Sequence, residues 1–359
     1  MPLLSFAESK DRYETWLKAQ LGSDFVAADL AEKNRLMRQS AFVFLRGTYW
    51  RWAECVRERF PDEETRTPVV LSVGDIHLEN FGTWRDVDGR LVWGINDFDE
   101  AAEMPYVEDL VRLATSAALA ADEAKPDADM CDAILDGYRK GLKAPNPIGL
   151  DRDWAWLRDK VIVPDETRHK FWKKIDARKA EQAPARFRDA LDGAMPATGL
   201  AFDTARRIAG TGSLGRPRWI GVMEWQGAPI VREAKAVLPS AWLLNTGKPT
   251  GTIQCGAIAG GRFRSPDPWM KVDEGIATRR LSPNNRKIEA ATADFRLHGL
   301  RMLTAMGFEL ANVHAGTDGA ASAITADLTA RKTNWLVRHV AKALKMTRAD
   351  YKQFQKARF

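Results

Sequence analysis

Apolar positions in the first sixty residues recur at helical spacing. The segment 34–60, NRLMRQSAFVFLRGTYWRWAECVRERF, puts apolar side chains on one face and arginines on the opposite face, which predicts amphipathic helix. Gly47 is expected to interrupt it. The pattern then changes at 69–73 to the β-branched run VVLSV, which predicts a short strand.

Two hairpins are predicted from turn dipeptides between alternating residues. Residues 83–95 alternate on both sides of Asp88-Gly89, and residues 206–237 contain two apolar runs that flank Gln226-Gly227. Such dipeptides favour the tight turns that join antiparallel strands. A further short strand is expected at 276–281, and helices are expected at 107–122 and from 286 to the end, with an interruption at 316–319.

Composition places the chain among ordinary globular proteins. Its 359 residues are 45% hydrophobic and 28% charged, and the formal net charge is +6. This mild excess suits an anionic ligand such as a nucleotide and does not call for nucleic acid. There is no apolar run of about 18 residues and no signal-peptide pattern, so neither a membrane partner nor export is expected. Three widely spaced cysteines form no disulfide framework, and a cytoplasmic location is the default.

The segment GDIHLEN, residues 74–80, concentrates polar side chains directly after the predicted strand. A second polar segment, NDFDE at 96–100, follows the first hairpin. Because a hairpin returns its two ends to the same place, Asp75, Asn80 and Asp97 are expected to converge. Two carboxylates and an amide oxygen are hard donors that suit Mg²⁺ held jointly with substrate phosphates.

Three interpretations of this segment compete. It could be a polar turn with local Asx hydrogen bonds. It could open a metallophosphoesterase site, but the GDxxD and GNH motifs that such enzymes also need are absent, and the chain has only five histidines. It could be a phosphotransferase loop, with Asp75 as base or orienter of the acceptor hydroxyl, and with Asn80 and Asp97 as metal ligands. Asp99 is favoured for a supporting role at the metal.

A glycine-rich segment, GTGSLG, occupies residues 210–215. A dinucleotide-binding turn would lead straight into a helix, but Pro217 and the strand-like RWIGVMEW follow. This favours a strand–loop–strand unit whose backbone N–H groups cover ATP phosphates, and an ordinary glycine hairpin remains the alternative. The predicted phosphate-binding residues are Gly210, Thr211, Gly212, Ser213 and Gly215.

These motifs resemble known families. GDIHLEN…INDFDE is similar to the GDxHxxN…DFD pair of aminoglycoside-phosphotransferase-like kinases, except that Val73 stands where kinases usually have a histidine. The match to the DUF2252 family, which is grouped with protein-kinase-like folds, is closer. It rests on SAFVFLRG (40–47), GDIHLENFG (74–82), NDFDE (96–100), EDLVRLATS (108–116), GTGSLG (210–215), VREAK (231–235) and LANVHA (310–315).

The resemblance implies a phosphate-binding cation on the strand after the glycine-rich loop. Alignment of VREA with the family's VKEA pattern favours Arg232 over Lys235. The two residues lie on opposite sides of a regular strand, so only one of them can face the nucleotide. The glutamate that would pair with this cation is not identified, because Glu233 points the wrong way on a regular strand.

The resemblance implies an α+β, kinase-like, two-lobed fold with circularly permuted motif order. Residues 1–200 would form a mostly helical lobe carrying the catalytic hairpin at 70–100, and residues 201–282 a strand-rich nucleotide lobe. Residues 283–359 would add helices to the helical lobe. The implied function is phosphoryl transfer from ATP with Mg²⁺ to an unknown small-molecule or protein hydroxyl. A pseudokinase, favoured by Val73 and Arg232, and an AMP transferase are the alternatives.

Overall fold

The computed structural model describes residues 3–246, 251–286 and 293–357, which form a mixed α+β fold. The chain begins with helices, as the apolar periodicity predicts. Ser5 caps the first of them in a reciprocal pair with Glu8. A break at Gly47 is confirmed, because one helix ends there and the next begins at Tyr49. These helices are α1 (Phe6–Leu21), α2 (Ala28–Met37), α3 (Ala41–Gly47), α4 (Tyr49–Arg59) and α5 (Pro61–Arg66).

Two small sheets follow α5. Strand β1 (Val69–Ser72) pairs antiparallel with β4 (Ala102–Pro105). Between them, β2 (Phe81–Arg85) and β3 (Leu91–Ile95) form the predicted hairpin, which β5 (Ile148–Gly149) extends. The register sets Phe81 opposite Ile95. The segments that precede β2 and follow β3 therefore lie at the same end of the hairpin.

A five-stranded antiparallel sheet forms later in the chain. Its strand order is β6-β7-β8-β10-β9. The glycine-rich segment connects β6 to β7, and the predicted hairpin turn at Gln226-Gly227 joins β7 to β8, with both turn residues at positive φ (52° and 82°). The strands are β6 (Asp203–Arg206), β7 (Arg218–Trp225), β8 (Ala228–Ala236), β9 (Lys271–Asp273) and β10 (Ile276–Leu281).

The remaining helices cover these sheets and pack on one another. They are α6 (Tyr106–Ala120), α7 (Ala128–Lys143), α8 (Ala155–Val161), α9 (Asp165–Asp176), α10 (Ala185–Asp192), α11 (Cys255–Ala259), α12 (Ala293–Ala315), α13 (Ala320–Ala330) and α14 (Trp335–Lys356). In the part of the chain that the structure describes, no helix is both long enough and apolar enough to cross a bilayer.

Helices α7 and α12 approach each other closely because glycines face the contact. A Cβ on Gly137 would come 1.8 Å from the carbonyl oxygen of Thr304, and a Cβ on Gly307 would come 2.1 Å from that of Ile134. Any larger residue would push these two helices apart. The close contact holds α12 in place, and α12 carries a histidine that reaches the candidate site.

The two faces of the five-stranded sheet are covered by different helices. Phe171, Trp172 and Ile175 of α9 pack on the face that carries Val231. Met195, just after α10, contacts Gly221 on the other face. Because side chains alternate along a strand, every second residue of β8 belongs to the α9 face. This alternation decides which cation of β8 can reach the candidate site.

All three cysteines are buried and free of disulfide bonds. Burial raises the pKa of the Cys131 and Cys255 thiols to about 12, and it raises the pKa of Cys55 above its ordinary value. They therefore remain neutral thiols at physiological pH.

Candidate functional site

Three segments that are distant in sequence converge on one cleft, here called the central cleft. They are the loop after β1, the loop after β3 and the glycine-rich loop between β6 and β7. The cleft encloses about 710 Å³, part of it open to solvent. Its lining includes eight of the predicted site residues: Asp75, Asn80, Asp97, Asp99, Gly210, Thr211, Gly212 and Ser213.

Asp75 is held by a buried arginine that the sequence did not single out. Nη2 of Arg112 in α6 donates to Oδ1 of Asp75 and, at 2.8 Å, to the carbonyl oxygen of Leu45. The guanidinium lies between the rings of Tyr49 and Trp52, at 5.1 and 5.0 Å from their centroids. Burial raises the pKa of Asp75 to about 7, although Arg112 acts in the opposite direction. The carboxyl group is therefore poised to exchange a proton near neutral pH.

The loop that carries Asp75 is fixed from behind by Asp109 of α6. The Asp109 carboxylate accepts hydrogen bonds from the backbone N–H groups of Val73 at 2.7 Å and Gly74 at 2.9 Å. His314 of α12 contacts Oδ2 of Asp109 at 3.0 Å, and Tyr138 contacts the other nitrogen of His314 at 2.7 Å. His314 is fully buried. The loop itself carries Val73 before Gly74, and the histidine that supports Asp109 comes from α12.

Asn80 lies beside the strand end that leads to Asp97, as the hairpin predicts. Its backbone oxygen accepts a hydrogen bond from Asn96 at 2.9 Å. Its side-chain oxygen accepts from the backbone N–H of His77 at 2.7 Å. One lone pair of the amide oxygen therefore shapes the loop, and the second lone pair is the one that a metal would use.

Asp97 and Asp99 meet at Lys235 of β8. Nζ of Lys235 lies 3.1 Å from Oδ1 of Asp97 and 2.5 Å from Oδ1 of Asp99. Burial lowers the pKa of Lys235, but the two carboxylates outweigh it, and the net pKa is raised. Lys235 therefore stays charged, and it connects the sheet to the loop after β3.

The strand register places Arg232, the cation that the resemblance favours, on the face of β8 opposite to Lys235. β8 pairs regularly with β7 and β10, so no bulge brings the two cations to one face. Arg232 lies on the α10 face, where Nε donates to the carbonyl oxygen of Ala194 at 2.8 Å and the guanidinium stacks on Trp269 at 4.3 Å. Lys235 is the cation of β8 that contacts carboxylates lining the central cleft.

The glycine-rich loop covers Asp75. Gly210 and Gly215 have φ of +80° and +99°, which favours glycine at both positions. A Cβ on Gly212 would come 3.2 Å from Oδ2 of Asp75. Lys33 of α2 donates to the carbonyl oxygen of Gly212 at 3.1 Å, and burial lowers the pKa of Lys33 to about 8. The loop tip is therefore held over the carboxylate from outside.

Two further charged residues of the cleft form ion pairs across it. Arg216 follows the last glycine, and its Nη2 lies 2.6 Å from Oε1 of Glu100. Arg46 pairs with Glu79 at 2.6 Å. No pattern in the sequence pointed to Glu100 as the partner of Arg216. Arg112, by contrast, stands out as an arginine inside a helix that is buried along almost its whole length.

A second cleft, here called the arginine cleft, lies on the other side of the loop after β3. Asn96 and Phe98 line it, whereas Asp97 and Asp99 line the central cleft. Trp84 and Phe171 add aromatic surface to its wall. It also carries one carboxylate, Asp267, and five arginines: Arg207, Arg264, Arg279, Arg280 and Arg286.

Within this cleft Arg264 and Arg280 each pair with a carboxylate, Glu309 and Asp267, whereas Arg207 and Arg279 share one. Glu233 of β8 is fully buried on the α9 face. It contacts Arg207, Arg218 at 3.0 Å and Arg279 at 2.7 Å. One carboxylate thus faces three guanidinium groups, and the excess positive charge lies next to Lys235 on the same sheet face. An anionic ligand would be stabilised there.

In the central cleft, a metal ion would be held jointly by a few side chains and the phosphates of a bound substrate. Among the described residues, no group of three or more His, Cys, Asp or Glu side chains could hold a metal ion. Asp97 and Asp99 supply two carboxylates, and Asn80 adds an amide oxygen. Mg²⁺ is commonly bound by one or two carboxylates together with substrate phosphates and water, and this donor set fits that mode.

Comparison with known proteins gives a match to a family but no match that indicates an activity. Residues 26–199 match the model of a family described as an uncharacterized protein conserved in bacteria, DUF2252. No curated protein and no solved structure matches the chain. The matched segment contains Asp75, Asn80, Asp97 and Asp99, while the glycine-rich loop and β8 lie beyond it. The match over residues 26–199 is to the same DUF2252 family that the motifs of the chain resemble.

Proposed function

We propose that the protein is an ATP- and Mg²⁺-dependent phosphotransferase with a kinase-like, two-lobed fold and permuted motif order. The observation that carries the proposal is the convergence of Asp75, the Asp97–Asp99 pair and the glycine-rich loop in one cleft. In kinases a glycine-rich loop covers the phosphates, the third strand carries the lysine, and an Asp and an Asn hold the metal. Lys235 lies on the third strand of its sheet in chain order.

The nucleotide would span both clefts. The aromatic and aliphatic wall of the arginine cleft suits a planar base. From there the phosphates would pass the excess guanidinium charge around Glu233, reach Lys235 and enter the central cleft beneath residues 210–215. Asp97 and Asp99 would turn from Lys235 toward the metal, and Lys235 toward the phosphates. When bound, the metal would neutralise charge on the phosphate oxygens.

Asp75 would act as the base in this reaction. The acceptor hydroxyl oxygen attacks the terminal phosphorus of ATP, and its proton passes to Oδ2 of Asp75, the oxygen that Arg112 does not hold. The bond between the phosphorus and the bridging oxygen breaks, and ADP leaves with the electron pair. A base with a pKa of about 7 is suited to this step at neutral pH.

The test is nucleotide binding followed by turnover. Thermal stabilisation by ATP should require Mg²⁺ in the wild type, and it should fall in Asp97→Asn. Asp88→Asn, at the exposed hairpin turn, is the matched control. The absence of any shift at millimolar ATP would refute the nucleotide site. A shift without turnover over varied acceptors would instead identify a pseudokinase.

One observation favours a second candidate, transfer of AMP. The excess of arginines around Glu233 would suit a polyphosphate tail in the arginine cleft, which would bring the α-phosphorus toward Asp75. Pyrophosphate, not ADP, would then leave with the electron pair. Reactions with ATP labelled on the α- or the γ-phosphate separate the two functions, because only one label reaches the acceptor in each case.

A further inference from the structure

We propose that Arg216 contacts the phosphoryl group during transfer, as an arginine that the glycine-rich loop supplies from within the same chain. This inference rests on the proposed phosphotransferase function. Arg216 directly follows Gly215, and it lines the central cleft together with Asp75, Asp97 and Asp99. The loop therefore contributes a side-chain cation as well as backbone N–H groups.

The Arg216 guanidinium has hydrogen-bonding capacity that its surroundings do not use. Only 2% of its side chain is exposed. Nη2 bonds to Glu100 and the Tyr13 hydroxyl also lies close to the guanidinium, whereas Nε and Nη1 are buried without a hydrogen-bond partner of normal geometry among the described residues. Buried polar groups are normally satisfied, and a guanidinium presents its donors in a fixed planar fork that matches phosphate oxygens. Unused buried donors in a cleft point to an anionic ligand.

Glu100 holds this guanidinium in a defined position. Its second oxygen accepts hydrogen bonds from the backbone N–H of Ala241 at 2.7 Å and from Oγ of Ser240 at 3.3 Å. Glu100 is thus fixed on both sides and cannot follow a moving arginine. A cation that is positioned before the reaction stabilises developing charge without reorganisation.

The charge of the cleft creates the need for such a cation. Arg46, the other arginine that lines the cleft, is paired with Glu79 at 2.6 Å and is more exposed, at 21%. A dianionic phosphoryl group that enters among several carboxylates is repelled unless cations face it. Arginines that contact the transferred group accelerate phosphoryl transfer in other enzymes by about 10³- to 10⁵-fold. The carboxylates that line the cleft are Asp75, Glu79, Asp97, Asp99 and Glu100.

The experiment compares ADP with ADP plus aluminium fluoride, which mimics the transferred group. With Mg²⁺ present, the wild type should gain thermal stability from ADP and a further increment from aluminium fluoride. Arg216→Met should keep its ADP affinity within about threefold, lose the increment, and hydrolyse ATP at least about 10²-fold more slowly. Arg216→Lys should retain part of the increment. Arg186→Met, on the surface of α10, should behave as wild type.

Each other outcome overturns the inference in a distinguishable way. If Arg216→Met keeps the increment, or loses ADP binding to the same extent, the residue only ties the loop to Glu100. If the wild type binds ADP but aluminium fluoride adds no further thermal stability, the site makes no contact that is specific to the transferred phosphoryl group. If the wild type binds no nucleotide, the proposed function itself fails. Should Arg216→Met not fold, Glu100→Gln provides the same comparison, since it releases Arg216 from its anchor.

Discussion

Gly212 lies directly against Asp75. A Cβ on Gly212 would come 3.2 Å from Oδ2 of Asp75 and 3.0 Å from the carbonyl oxygen of Arg46. Such contacts are tighter than a side chain normally makes, so a residue larger than glycine at position 212 would require its neighbours to move by a few tenths of an ångström. Two motifs that are far apart in sequence are thereby brought so close, at the oxygen that would accept the proton, that little space remains for a side chain between them.

We expect Gly212→Ala to displace the loop tip by a few tenths of an ångström. Turnover should fall by about 10- to 100-fold, because small errors of position at a reacting centre are costly. The free energy of unfolding should change little. Gly149→Ala is the control, since a Cβ there meets nothing within 4 Å. Equal activity of the two variants would argue against a functional role for the contact. Steady-state rates and chemical denaturation measure both effects.

Replacement of the two cations of β8 should separate binding from folding. Lys235→Met leaves Asp97 and Asp99 without their shared cation, and we expect weaker ATP binding and turnover lowered by about 10²-fold or more. Arg232→Met removes the hydrogen bond to Ala194 and the stacking on Trp269, so it should cost about 1–3 kcal/mol of stability. Its ATP affinity should stay near that of the wild type. If Arg232→Met alone weakened ATP binding, the placement of Lys235 as the phosphate-binding cation would be wrong.

Activity should depend on the ionisation of Asp75. As the carboxylate is the active form of a base, the rate should rise with pH and level off above an apparent pKa of about 7. Loss of the arginine partner in Arg112→Met should shift this profile to higher pH, because Arg112 opposes the effect of burial. A rate that is flat between pH 5 and about 8 would exclude Asp75 as the base.

The same raised pKa predicts a pH-dependent stability. Between the ordinary Asp pKa of about 3.9 and about 7, the folded state binds more protons than the unfolded state. Stability therefore falls as pH rises through this window, and the full penalty is present above it. Asp75→Asn lacks the penalty, so its stability relative to wild type should increase across the window and then stay constant. Denaturation curves that keep a constant offset at all pH values would contradict the prediction.

Substitutions of the residues that support the Asp75 loop should lower the free energy of unfolding by different amounts. Asp109→Asn puts an amide N–H₂ where one backbone N–H now donates, and we expect a loss of about 2–4 kcal/mol of stability together with lower turnover. Tyr138→Phe removes only the hydroxyl that contacts His314, so about 1 kcal/mol is expected with little effect on turnover. Urea denaturation of both variants measures the difference. A larger loss in Tyr138→Phe than in Asp109→Asn would show that the hydroxyl contact with His314, and not the Asp109 carboxylate, provides most of the support.

Features set by local sequence were predictable. The turn residues Asp88-Gly89 and Gln226-Gly227 fixed both hairpins, because few residues accept the backbone angles that tight turns require. From the first hairpin, the closeness of Asn80 to the strand end before Asp97 followed directly. The alternation along β8 also showed that Arg232 and Lys235 could not share a face. Which face met the cleft was not predictable, because it depends on α9 and α10 packing on opposite sides.

The partners of the acidic residues were set by tertiary packing. Arg112 and Asp75, Arg216 and Glu100, and His314 and Asp109 come from elements whose relative positions no local pattern encodes. A buried arginine in α6 was the one visible signal, since a charge inside an apolar helix needs a partner. The partner itself could be any of the carboxylates that the fold brings near.

The buried cysteines make the glycine-rich loop accessible to site-directed labelling. Because Cys55, Cys131 and Cys255 are buried, with raised pKa values, they will resist alkylation in the folded protein. Ile208, at the start of the loop, is 60% exposed. In an Ile208→Cys variant, the new thiol would be the one that reacts with a fluorescent or spin probe. Movement of the loop during a reaction cycle could then be followed without removal of any native cysteine.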